Sequence, residues 1–82
     1  MQIDPEFIEW FATSGVFPIE GDAIAFSKDG SLITYMAKVY EHRFYHQEPS
    51  DVFSHNPYLR ANQLRQAAVR QCHEIYDAEN KA

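Results

Sequence analysis

The stretch Asp22-Ala23-Ile24-Ala25-Phe26-Ser27-Lys28-Asp29-Gly30-Ser31-Leu32-Ile33-Thr34-Tyr35-Met36 admits two incompatible readings, and the choice between them decides the fold. With period two, Asp22 to Phe26 alternates as a short strand. Asp29-Gly30 is then a two-residue hairpin turn that sets Phe26 opposite Ile33 and Ile24 opposite Tyr35. With the helical period, Ser31 is an N-cap and Leu32, Ile33, Met36, Val39, Tyr40, Arg43 and Phe44 share one face, with Thr34, Lys38 and Glu41 on the other. The helical pattern runs on to Phe44, whereas the strand pattern stops early. The expectation is therefore an all-α domain spanning 1–82, with three helices at about 4–14, 31–46 and 56–78 and an irregular or hairpin segment at 19–30. The alternative is an α+β domain with a hairpin at 22–36.

Outward from this stretch the signals are clearer. Asp4 is a natural N-cap, Pro5 suits the first helical position, and Glu6 and Glu9 suit the positive end of a helix dipole. Phe7, Trp10, Phe11 and Ser14 fall on one side. Gly15 is expected at C′, Val16 folds back onto the last turn, and Pro18 forbids continuation. Towards the other end, Asn56 caps a helix begun by Pro57 and free of glycine. Ala61, Leu64, Ala68, Cys72, Ile75 and Tyr76 line its apolar side, with Tyr58 and Val69 on the flank. Arg65 falls inside that stripe. Its head is expected to snorkel outward, the alternative being a partner carboxylate.

A chain of 82 residues buries only about 60% of its unfolded surface, so its many aromatic residues matter, and they make a dimer plausible. A lone cysteine, Cys72, forms no internal disulfide and reads as a small buried hydrophobe. The N-terminus has no signal-peptide pattern and no apolar run is long enough to span a bilayer, which points to the cytoplasm. A net charge of −5 disfavours nucleic acid, but the charge is uneven. Asp4, Glu6, Glu9, Glu20 and Asp22 stand without a base among the first 27 residues. Arg60, Arg65 and Arg70 stand without an acid between Val52 and His73.

Few constellations bear on chemistry. His42 and His46 are four apart, a spacing that chelates metal from a helix, yet no further ligand is aligned with them, so no metal and no cofactor is expected. Cys72 and His73 are adjacent and point about 100° apart on a helix, which rules out a dyad. The glycines are isolated from one another and form no phosphate loop. On the polar side of the last helix, Arg60, Gln63, Gln66 and Arg70 form the candidate partner-facing set, since guanidinium groups on an open face engage carboxylates in bidentate fashion.

The opening Glu6-Phe7-Ile8-Glu9-Trp10-Phe11, followed by a turn and Tyr35-Met36-Ala37-Lys38-Val39-Tyr40-Glu41-His42-Arg43, resembles small accessory proteins of tailed bacteriophages. The resemblance implies a small non-enzymatic protein that binds and modulates or inhibits a host protein machine. The expected function is thus a protein-binding module. The alternatives are a DNA-binding regulator using the C-terminal Arg/Gln helix, or an acidic nucleic-acid mimic acting through the Asp4 to Asp22 carboxylates.

Overall fold

The computed structural model describes residues 4–15 and 18–80. Its elements run α1 (Pro5–Thr13), β1 (Ile19–Phe26), β2 (Leu32–Val39), β3 (His42–Pro49), α2 (Ser50–His55) and α3 (Pro57–Asn80). The strands form an antiparallel sheet in the order β1-β2-β3. This overturns the all-α expectation: residues 31–46 are two strands, and the chain is α+β. The pairing of Phe26 with Ile33 and of Ile24 with Tyr35 is the one the alternative reading gives.

Period two wins because it continues beyond Met36. Ile33, Tyr35, Ala37 and Val39 are all buried, every second residue of β2, with Thr34 the one buried residue of the opposite parity, and β-branched and aromatic residues suit a pleated surface. The first hairpin closes more loosely than a two-residue turn. Ser27 N–H donates to Leu32 O at 3.0 Å, Gly30 adopts φ +76°, and Asp29 accepts from the Ser31 N–H and from the Ser27 and Ser31 hydroxyls. The second hairpin turns at Tyr40-Glu41, between the paired Val39 and His42. Tyr40 holds a left-handed φ of 56°, which a bulky residue adopts only at a cost, while its ring stacks 4.5 Å from that of Tyr76.

All three helices pack on one face of the sheet. On α3, Ala61, Leu64, Ala68 and Cys72 are buried as the periodicity predicts, against Ile33, Tyr35 and Val39. The stripe ends there: Ile75 and Tyr76, expected within it, are about two-fifths exposed. Phe7 of α1 joins the layer edge-on to Phe53 and Tyr58. Asn56 Oδ1 accepts the Leu59 N–H at 3.3 Å, the cap the sequence calls for.

Arg65 does not snorkel. It is fully buried, and its Nε donates to Asp22 Oδ2 at 2.5 Å. Nη1 donates to Ser14 O and Oγ, Nη2 donates to Phe11 O at 2.8 Å, and the guanidinium carbon lies 4.2 Å from the centre of the Phe11 ring. Gly15, expected at C′, does not take the left-handed conformation; Arg65 covers the last carbonyls of α1 instead, at the negative end of the helix dipole. The expected contact of Val16 lies outside the described residues.

What brings Asp22 to Arg65 is a bulge. Glu20 pairs with Lys38 but Ala23 pairs with Met36, so Gly21 and Asp22 together oppose Ala37. Gly21 takes φ +58°, the left-handed position such a bulge needs. The extra residue lets Ile19 and Asp22 both face the helices. Tyr35 completes the cluster by donating to Asp22 Oδ2 at 3.2 Å. Burial, then the Asp22 carboxylate, push the phenol of Tyr35 far above its ordinary value, so it stays a donor.

Candidate functional site

Among the described residues, two open surfaces carry cations beside apolar groups: the outward side of α3 with the elbow between α2 and α3, and the side of the sheet that carries no helix. A third, between α1 and β1, is lined by Phe7, Ile8, Phe11, Ile24 and Phe26.

The four predicted partner-facing residues lie along α3, but in two environments. Arg60 is turned towards the sheet. Its Nη2 donates to Glu48 Oε1 at 2.7 Å and its Nε to Oε2 at 3.1 Å, a bidentate pair, while Nη1 donates to Gln63 Oε1 at 3.1 Å. His46 Nε2 lies 2.9 Å from the same Glu48 Oε1. Burial raises the Glu48 carboxyl, but hydrogen bonds from Arg60 and His46 outweigh it and hold the group below its ordinary value. Gln66 and Arg70 are exposed, and Arg70 makes no ion pair among the described residues. The structure therefore brings Arg60 and Gln63 together and leaves Arg70 as the open cation of the set.

The polar side of α3 has an apolar neighbour at its N-terminal end. Leu59, Gln63, Gln66 and Arg70 follow a spacing of four, three and four and so share one stripe. Beside its N-terminal end Val52 of α2 is 56% exposed and Leu59 is 53% exposed. Between them runs a shallow groove of ≈ 270 Å³, lined also by His55, Asn56, Arg60 and Gln63. The groove lies where Asn56, with φ −152° and ψ 82°, interrupts the helical run between α2 and α3; the Asn56-Pro57 pair is the signal that could have shown it.

The helix-free side of the sheet was concealed by the helical reading of 31–46. Cross-strand pairing arranges it in three rows: Glu20, Lys38 and Arg43; then Ala23, Met36 and Tyr45; then Ala25, Thr34 and Gln47. Tyr45 is 70% exposed.

His42 and His46 lie on β3 and not on a helix turn. His42 Nε2 is 2.7 Å from Glu79 Oε1, and His46 belongs to the Glu48 pair. No cluster of His, Cys, Asp and Glu side chains suited to a metal ion occurs among the described residues. Cys72 is buried and its thiol is pushed up by that burial. Of the N-terminal carboxylates, Asp22 is drawn inside by Arg65, while Asp4, Glu6, Glu9 and Glu20 stay exposed. No helix among the described residues is long and apolar enough to cross a membrane. Comparison with protein-family models, with curated proteins and with solved structures finds no match for the chain.

Proposed function

We propose that the chain is, as the phage-type resemblance implies, a small non-enzymatic module that binds another protein, and that it docks through the α2–α3 elbow and the adjoining stripe of α3. The observation that carries this reading is the groove between Val52 and Leu59: two aliphatic side chains more than half exposed, bordered by His55, Asn56, Arg60 and Gln63, with Gln66 and Arg70 further along the same stripe of α3. An apolar centre within a polar border is the anatomy of a protein contact, and the energy of such contacts concentrates in a few central groups. The occupant is a partner segment with an aliphatic anchor for the groove and a carboxylate for Arg70. Charge supports that choice, because no acid stands between Val52 and His73 to repel such a segment. The DNA-reading alternative is less well supported, since two of the three α3 guanidiniums are held by Glu48 and Asp22.

The test is capture from the native host with the full chain as bait, in four forms: unaltered, Leu59→Ser, Arg70→Glu and, as a surface control, Lys28→Glu. The proposal expects one set of captured proteins that is lost with Leu59→Ser and with Arg70→Glu but kept with Lys28→Glu. Equal capture by all four forms would overturn it.

A further inference from the structure

We infer that the helix-free side of the sheet is a second docking surface, and that its occupant is an extended polypeptide segment carrying a carboxylate two residues from an aliphatic side chain. This stands on observations separate from the α2–α3 elbow.

Charge comes first. Lys38 and Arg43 are directly paired across β2 and β3, and like charges in that position repel. Neither forms an ion pair among the described residues, although Glu20 is paired with Lys38 across β1 and β2. In a chain of net charge −5 this places two open cations side by side. A carboxylate set between them relieves the repulsion and gains charge-assisted hydrogen bonds, bidentate on Arg43.

Spacing comes second. The rows follow one another along the strands at about 6.6 Å, twice the rise of one residue. An extended peptide presents its alternate side chains at the same interval. One lying along the strands puts a carboxylate over Lys38 and Arg43, then an aliphatic group over Met36 and Tyr45, then a polar group over Gln47, whose amide covers the buried Thr34 by donating to its hydroxyl at 3.3 Å. The groove between Glu20, Met36, Lys38, Arg43 and Tyr45 has a volume of ≈ 350 Å³, room for the first two of these.

Other occupants fit less well. Two cations release about two counterions from a nucleic-acid strand, too little to offset the net negative charge of the chain. Three strands of eight residues make a footprint of about 14 by 26 Å, below the roughly 800 Å² per partner of a stable interface, so a second copy gains too little from this side alone.

The test is a titration of the ¹⁵N-labelled full chain with the peptide Glu-Ser-Ile-Ser-Glu, which presents the pattern in either direction, followed by amide chemical shifts at low salt. Expected are saturable shifts confined to β1, β2 and β3. Lys-Ser-Ile-Ser-Lys produces none, and Lys38→Glu with Arg43→Glu weakens binding by about tenfold or more. The spread of amide shifts in the variant verifies that it is folded, and Tyr45→Ala, at a highly exposed position, gives a second loss. The inference is overturned if the peptide shifts nothing, or if the shifts map to α3. It is equally overturned if oligo-dT binds the sheet more tightly than the peptide, or if sedimentation shows a dimer that the double variant dissociates.

Discussion

Taking a guanidinium out of water costs several kcal/mol unless its donors are met, and Arg65 meets them with one carboxylate from β1, Asp22, and three oxygens at the end of α1, Ser14 O and Oγ and Phe11 O. The cation that breaks the apolar stripe of α3 is thereby the pin that joins α1, the sheet and α3. Arg65→Ala leaves Asp22 buried without its countercharge and is expected to cost about 3–5 kcal/mol in urea denaturation. Arg65→Met combined with Asp22→Leu removes both charges and should cost less than Arg65→Ala alone, which separates the stranded carboxylate from lost packing. Gly21 serves the same contact through the backbone. A Cβ there meets nothing within 4 Å, so Gly21→Ala is charged with its left-handed φ alone, about 1–2 kcal/mol by the same measurement.

Among the elements, the two terminal helices were legible, the β1–β2 hairpin was legible as the alternative reading of 22–36, and β3 was not. Asp4-Pro5 and Asn56-Pro57 mark helix starts by chemistry that depends on nearest neighbours only, and both caps form as read. β3 has no such signature. Its helix-facing positions are His42, Phe44, His46 and Glu48, three of them polar, because an edge strand meets the borders of α3, where Glu79 and Arg60 wait, and only Phe44 reaches the core. Alternation written in polar residues that are paired only through the tertiary fold cannot be seen along the chain, so the apolar residues of 32–44 were fitted to the wrong period. Arg60 shows the same limit, since nothing local tells that it answers Glu48. That pair has a pH signature. The folded state holds the Glu48 carboxyl below its ordinary value of 4.5, so the stability it contributes is complete above that value and is lost as the pH falls through the folded value. Melting curves from about pH 7 down to about pH 3 are expected to show a decline at the acid end. Arg60→Ala should diminish that decline and lower the melting temperature at neutral pH, because burial is then opposed at Glu48 by His46 alone. Arg70→Ala, at an exposed and unpaired position, should change neither.

At the scale of the whole molecule, the helices and the sheet form two layers, each with one face against the other and one turned outward. Ala61, Leu64, Arg65, Ala68 and Cys72 occupy the inner side of α3, which points Gln63, Gln66 and Arg70 away from the sheet. Lys38, Arg43 and Tyr45 alternate with the buried residues of β2 and β3, which points them away from the helices. The proposed elbow site and the proposed sheet site therefore look in opposite directions from a body whose two shorter dimensions are 24 and 18 Å. Substitutions separated by a full layer, with no shared partner, act additively to within a few tenths of a kcal/mol. Leu59→Ser and Arg70→Glu should accordingly leave the affinity for Glu-Ser-Ile-Ser-Glu unchanged, and Lys38→Glu with Arg43→Glu should leave capture of the elbow partner unchanged. The peptide at saturation should not displace that partner, as measured by anisotropy of the labelled peptide with and without it. Displacement would mean that one occupant reaches around the β3 edge to both faces, and the two surfaces would then be parts of one site.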